Sequence, residues 1–387
     1  MRLRLCMVVH AYYPLAEPRV ERQARAARNA GHDVTVIALR ASGDRGRDIV
    51  DGVEVRRLPV RHVRGARLPR LALEYLAFTM LALLEIIRVQ VCGRIDTVQV
   101  HAPPDFLVIA GLPAKLRGAR LLLDVHDLSP HIFGARFRNG IVRRALERVE
   151  RWACGIADAV VTVHDPYRDE LVARGVPAQK VHRVMNAVDP AVLRAAAARR
   201  ETETSDGFTL AYHGTVNRWY GVDLVVLAVA RLQRELPDVR ATIVGEGDAV
   251  SEVRALAEQL GVADRVAITG RYLPIEQALA EVAIAQCGVI PNRPSELNRF
   301  ALSSKLFEYV ELGIPVVVAR LETLARHFGS DEVTFFNPGD ADSLADAVRW
   351  IVEHPEETRT RVARARRRAR EYAWEREAER YLRLLES

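Results

Sequence analysis

A rhythm runs through this chain. A short run of consecutive apolar, mostly β-branched residues gives way to a longer helical stretch, and then another such run follows. RLCMVV (4–9), DVTVIAL (33–39), VEVRRL (53–58), DTVQV (96–100), RLLLDV (120–125) and AVVTV (159–163) are strand-like. Their apolar residues are successive rather than alternating, as in strands covered on both faces. Helical segments separate them. RVERQARAARNAGHD, for instance, stops at Gly31, a helix-terminating glycine. Such repetition predicts parallel α/β sheets with right-handed crossovers. The rhythm pauses at DPAVLRAAAARRETETSDG (189–207), which is polar, alanine-rich and without a strand signal. It resumes with FTLAYHG (208–214), RATIVGEG (240–247), RVAITG (265–270), AQCGVI (285–290), PVVVA (315–319) and VTFF (333–336). A chain of 387 residues then reads as two α/β domains joined by a linker near 187–207.

Charge separates the halves. Residues 1–190 hold 30 Lys/Arg against 20 Asp/Glu, a net +10, and the remainder holds 26 against 30, a net −4. The basic half favours an anionic partner such as a phosphate, a lipid headgroup or an acidic acceptor. Cys6, Cys92, Cys154 and Cys287 show no metal or redox spacing, which fits reduced thiols in a cytoplasmic protein. The opening MRLRLCMVVHAYYP lacks a small-residue cleavage site and reads as a first core strand. In LALEYLAFTMLALLEIIRVQV (71–91), Glu74 and Glu85 interrupt the apolar run. The uninterrupted length falls short of the roughly 18 residues a bilayer span needs. That helix is either buried or lies on a membrane.

In paired open sheets, ligands gather beyond the carboxyl ends of strands, and the informative residues fall there. His126 and Asp127 follow 120–125, Gly214 follows 208–213, and Gly270 follows 265–269. SSKLFEYVELGIPVVVA (303–319) carries the most chemistry. Ser303 or Ser304 is a candidate N-cap. The free N–H groups of the helix start favour anions, phosphate above all, and Lys305 adds a full charge there. Glu308 lies one turn further in. Neither serine is three residues before it, so it is not needed for a capping box. A carboxylate accepts two hydroxyl donors side by side, as vicinal sugar hydroxyls supply. Together these groups describe a nucleotide diphosphate site. An ordinary exposed Lys–Glu pair on a helix remains the alternative.

HGTVNRWYGVDLVVLAVARL, IVGEGDAVSEVRALAEQLGVADRVAITGRYLP and SSKLFEYVELGIPVVVA fall in one order. With their spacing they resemble the nucleotide-binding half of retaining glycosyltransferases of family 4. YYPLAEPRVERQARAARNAGHDVTVIAL, VHAPPDFLVIAG, LLLDVHDLSP and ADAVVTVHDPYRDELVARGVPAQKVHRVMNAVD are similar to that family's first half. The resemblance covers about residues 1–385. It implies the GT-B fold: two Rossmann-like domains facing each other across a cleft, with a C-terminal helix free to cross back onto the first. The implied limits are 1–190 for the acceptor domain, 191–370 for the nucleotide-sugar domain and 371–387 for that helix.

The resemblance implies transfer of a sugar from a nucleotide diphosphate donor to an acceptor hydroxyl, with retention. No cofactor or metal is expected. Gly214, Ser303, Ser304 and Lys305 are the implied diphosphate contacts, and Glu308 the ribose contact. Gly270, Arg271 and Tyr272 match the loop beside the base. The family's first motif glutamate is absent; Phe300 stands in its place, with Glu296, Asn298, Ala301 and Leu302 as candidates for the donor sugar. The basic residues usual in the glycine loop are also missing. Thr215 and Tyr220 occupy their positions, so Arg218, the loop's only cation, is expected to share the diphosphate with Lys305. His126 matches the histidine near the reacting sugar, and Asp127 is the general-base candidate by chemistry. Arg19 and His101 are expected near an acceptor or a phosphate.

Other motif classes fail: there is no GxGxxG after the first strand, no GxxxxGK[ST], no HExxH and no paired CxxC. The arginine run at 364–370 reads as a solvated helix face, so no nucleic-acid partner is expected. Arg56, Arg57, Arg61, Arg64, Arg67 and Arg70 precede the apolar helix. That pattern suits docking on anionic lipid at the inner membrane face and a lipid-linked acceptor. The competing readings are a nucleotide-sugar epimerase on the same fold and a non-catalytic nucleotide-sugar binder.

Overall fold

The computed structural model describes all residues except 1, 15–16, 64–65, 138–139, 189 and 204–206. The chain divides into two compact units: Met1–Asn186 with Glu375–Ser387, and Ala187–Trp374.

The first unit is an eight-stranded sheet of β1 (Arg4–Val9), β2 (Asp33–Leu39), β3 (Arg47–Val50), β4 (Val53–Leu58), β5 (Thr97–Ala102), β6 (Arg120–Val125), β7 (Ala159–Thr162) and β8 (Val181–Arg183). Their order is β3-β4-β2-β1-β5-β6-β7-β8. Every pair is parallel except β3 with β4, a hairpin on the edge. The apolar runs behave as read: β1, β5 and β6 bury nearly every residue. The helix Pro18–Asn29 (α1) begins with proline at its first turn and ends on Gly31 at φ +90°. There His32 N–H reaches Ala27 O and Gly31 N–H reaches Arg28 O, closing the helix in a left-handed C-terminal turn.

The helix Leu68–Cys92 (α2) is the one described helix long and apolar enough to cross a membrane. Its two acids explain why it stays on the domain. Glu74 and Glu85 are buried, Glu85 against Arg56 and Arg88, Glu74 against His62. The opposite face shows solvent Leu73, Leu76, Met80, Leu84 and Val91. The basic stretch before it splits. Arg56 and Arg57 are buried in ion pairs with Glu54, Glu85, Asp44 and Asp48, so they cannot meet a lipid surface. Arg61, Arg67 and Arg70 are exposed, and Arg64 lies outside the described residues.

The C-terminal helix Trp374–Glu386 belongs to the first unit. Tyr381, Leu384 and Leu385 join the core formed by Leu5, Met7, Val36 and Leu122. The buried carboxylate of Glu377 accepts the Met185 N–H at 2.9 Å.

The second unit is a six-stranded, wholly parallel sheet of β9 (Phe208–His213), β10 (Val239–Val244), β11 (Val266–Ile268), β12 (Cys287–Ile290), β13 (Val316–Ala319) and β14 (Thr334–Phe336). The order is β11-β10-β9-β12-β13-β14. The expected linker differs from what forms: Pro190–Thr202 is a helix (α3) of this unit. Arg199 and Arg200 anchor it by donating to the carbonyls of Ala280, Ala283 and Ala285. Alanine-rich sequence without a strand signal was helix propensity rather than disorder.

Candidate functional site

In the second unit the chemistry converges at the carboxyl end of β9. Gly214 leaves the strand at φ +113°, and its N–H donates to Val244 O at 2.8 Å. The neighbouring turn packs backbone to backbone, since a Cβ on Gly245 would stand 1.9 Å from Gly214 O. This close fit clears the space that Lys305 occupies. A Cβ on Gly214 would meet Lys305 Cε at 2.6 Å and Nζ at 3.1 Å.

Lys305 sits in the first turn of the helix Ser304–Glu311 (α4). Its ammonium lies 5.4 Å from the Tyr212 ring centre and 5.2 Å from that of Tyr220. Burial pulls its pKa down, and the charge of Glu308 partly restores it. The two rings hold the ammonium by cation–π attraction, and no carboxylate salt bridge engages it among the described residues. Tyr220 is placed by its turn: Asn217 Oδ1 accepts the N–H of Trp219 and of Tyr220. Tyr220 stands where the family resemblance implied a cation, and it positions the cation of α4 instead.

Ser303 is the N-cap residue but makes no side-chain cap bond. Ser304 opens the helix, exposed and with its side chain near the Glu308 carboxylate. Glu308 is buried, and its Oε2 lies 2.6 Å from His213 Nε2. Burial pushes this carboxyl up, but the His213 bond and charge, Lys305 and Ser304 together hold it below its ordinary value. His213 Nδ1 lies 2.9 Å from the Tyr309 hydroxyl, which also donates to Ala211 O. So β9 and α4 are tied together through the group expected to hold the ribose. His213 went unrecognised in the sequence, although it immediately precedes Gly214.

Several expected contacts stand elsewhere. Arg218 is exposed and forms a two-pronged pair with Glu252 at 2.6 and 2.9 Å, rather than joining Lys305. Asn298 is fully buried and its amide nitrogen donates to Trp219 O and Arg293 O at 2.7 and 2.8 Å. It braces two loops rather than standing in for the missing glutamate. Phe300 is buried, Glu296 exposed, and Ala301 and Leu302 partly exposed before α4. Gly270 takes φ +65°, with Arg254 packed behind it, and Arg271 and Tyr272 are exposed.

The first unit holds a buried polar cluster at the ends of β5 and β6. Asp124 is wholly buried in β6. It accepts from Arg19 Nη2 at 2.9 Å and from Gln23 Nε2 at 2.8 Å. Gln99 bridges Gln23 and Asp124, and its Oε1 accepts the Tyr381 hydroxyl at 2.7 Å. His126 Nε2 lies 2.9 Å from His101 Nδ1 and 3.7 Å from Asp124. Burial alone would lower the His126 pKa, but the nearby Asp124 charge, with Glu17, pushes it up to about 9. Burial and the His126 charge push His101 well below its ordinary value. These shifts favour His126 as the donor in its hydrogen bond with His101. Burial would raise Asp124, but Arg19 and His126 hold it far below the usual carboxylate range.

Two expectations are corrected here. Arg19 faces no phosphate: it is buried against Asp124, Val184 O and Asn186. His101 is likewise buried beneath His126 rather than open to an acceptor. Asp127 is exposed and accepts the Tyr167 hydroxyl at 3.3 Å. His101, Asp124 and His126 are close enough to ligate a metal, but the Arg19 guanidinium already neutralises the one carboxylate.

Two parallel α/β units with ligand chemistry at their strand ends define the GT-B class. Residues 16–187 match the family described as Glycosyl transferase 4-like domain. Residues 194–369 match Glycosyl transferases group 1. The 2-deoxystreptamine glucosyltransferase of Streptomyces kanamyceticus is 26% identical over 78% of this chain and 80% of its own. A GDP-mannose-dependent alpha-(1-6)-phosphatidylinositol monomannoside mannosyltransferase of Mycolicibacterium smegmatis is 29% identical over 35% of this chain and 36% of its own. Anabaena HepE, crystallised with UDP and glucose, superimposes with a TM-score of 0.73 at 16% identity, covering 100% of both chains. The chain belongs to the group 1 glycosyltransferases.

Proposed function

We propose that this glycosyltransferase moves a hexosyl group from a nucleotide diphosphate sugar to an acceptor hydroxyl with retention of configuration. No metal ion is needed at the diphosphate. The observation that supports this best is the Lys305 ammonium, held between two tyrosine rings over the Gly214 turn with no carboxylate salt-bridge partner among the described residues. Lys305, the Gly214 backbone and the free N–H groups at Ser304 and Lys305 receive the diphosphate. They stabilise the charge that grows on it as the glycosidic bond breaks. Glu308, ionised and oriented by His213, accepts the ribose hydroxyls.

His126, its pKa raised to about 9, favours its charged form at neutral pH and is disfavoured as the base for the acceptor proton. It acts as a hydrogen-bond donor to the reacting sugar. Asp127 is the remaining base candidate. The sugar contacts fall to the backbone of 301–304, since Asn298 is engaged elsewhere and Phe300 is buried. The proposed acceptor is lipid-linked. The exposed apolar stripe of α2, with Arg61, Arg67 and Arg70 at its start, suits an anionic membrane surface on the cytoplasmic side. The phosphatidylinositol mannoside acceptor in the name of the Mycolicibacterium relative is in keeping with this.

The test is a thermal-shift screen of nucleotide diphosphate sugars with chelator present. It is run on the native chain and on Glu308→Ala, and the product anomer is then assigned by NMR. One donor should stabilise the native chain and fail to stabilise the variant. Equal stabilisation of both would defeat the assignment of Glu308.

A further inference from the structure

The first sheet carries a second group of side chains at its carboxyl edge that the transfer reading does not use. His10 directly follows β1, His62 lies in the segment after β4, and Glu74 lies in the second turn of α2. His10 Nε2 is 3.2 Å from Glu74 Oε1, and His62 Nδ1 is 2.6 Å from the same oxygen. All three atoms lie within 4.8 Å of one another. The side chains of His10 and Glu74 are 4% and 5% exposed, that of His62 30%. Despite its approach to Glu74, His10 Nε2 has no hydrogen-bond partner. Tyr75 and Phe78 stand edge-on to the His10 ring at 4.6 and 5.0 Å and fix its plane. The Val63 N–H donates to Glu74 Oε2 at 3.4 Å, which leaves Oε1 to the two imidazoles.

We propose that His10, His62 and Glu74 form a binding site for a first-row divalent cation, zinc above all. Two imidazoles and one carboxylate are a donor set that zinc takes with water as its fourth ligand. Bond lengths of about 2.0–2.1 Å in a tetrahedron place adjacent ligand atoms roughly 3.4 Å apart. His10 and Glu74 already stand at that separation. His62 stands roughly 0.8 Å closer to Glu74 than that, and its partial exposure leaves it room to move. The Val63 N–H supplies the outer contact that orients a ligating carboxylate. An ion would satisfy the buried His10 nitrogen, which approaches Glu74 without hydrogen-bond geometry. The ion would join the segment after β4 to β1 and α2, and it would leave the diphosphate contacts to the second unit.

The experiment uses the untagged full-length protein. It is stripped with chelator, dialysed against zinc sulfate and analysed for metal by mass spectrometry, with cobalt(II) absorption reporting coordination geometry. The native chain and His126→Gln should each hold about one zinc per chain, with a tetrahedral cobalt spectrum and a higher melting temperature. His62→Gln and Glu74→Gln should hold less than about a tenth of an equivalent and show no rise in melting temperature. Should Glu74→Gln fail to fold, His62→Gln decides, because that side chain is partly exposed. A native chain without stoichiometric zinc overturns the proposal, as does zinc retained by His62→Gln or lost from His126→Gln.

Discussion

The charge state of His126 can be tested directly. Its ring is about one tenth exposed and lies 3.7 Å from a buried carboxylate. Raising an imidazole from its ordinary value of about 6.5 to about 9 corresponds to roughly 3 kcal/mol of preference for the charged form. The sign follows: the folded-state value lies above the unfolded one. This stability is therefore fully present below about pH 6.5 and lost as pH rises through about 9. Titration of the Cε1–H resonance by NMR, assigned with His126→Gln, should show a midpoint near 9 in the native chain. Asp124→Asn removes the carboxylate while leaving the buried Arg19 beside the ring, so the midpoint should fall below the ordinary value. Leaving that arginine unpaired costs about 3–5 kcal/mol, so the variant is compared with Arg19→Met/Asp124→Asn, in which no charge is stranded. A native midpoint below about 7 would refute the argument whether or not either variant folds.

Gly214→Ala should push Lys305 off its tyrosine seat and strain a left-handed turn. Donor affinity by calorimetry should fall about tenfold or more, with the protein still folded. Glu308→Gln keeps the size but not the charge, and should weaken nucleoside diphosphate binding by roughly 10–100-fold, in line with about 1.5–3 kcal/mol for a charged hydrogen bond. Tyr381→Phe deletes one buried hydroxyl bond. It should cost about 1 kcal/mol and lower the melting temperature of the first unit by about 2–4 °C in calorimetry. Leu76→Asp/Met80→Asp on the exposed face of α2 should abolish co-flotation with anionic vesicles at low salt and leave donor binding unchanged.

Strand positions and sheet type were legible because two-sided burial writes itself as unbroken apolar runs. β3 and β8 were not: one is a solvent-facing edge strand, the other three residues long, and neither carries such a run. Lys305 and Glu308 were readable from helix-end chemistry. The expected partnership of Lys305 with Arg218 was not, because nothing local tells that Glu252, a helix and a strand away, captures that guanidinium. The buried cluster under His126 had a trace in the sequence. Gln99 and Asp124 interrupt otherwise apolar interior strands, and a polar residue there must find buried partners. Which ones it finds depends on Arg19 and Tyr381, brought in by helices from opposite ends of the chain.

That last contact has a consequence for how the protein is made and dissected. The unit built from residues 1–186 is closed by residues 375–387, which are translated only after the whole second unit. Until residues 375–387 emerge, the Met185 N–H and the Gln99 amide lack their final acceptor and donor, and the apolar groove under Tyr381 stays wet. A fragment cut at Asn186 inherits that defect. An autonomous first half therefore has to carry the terminal helix grafted behind it.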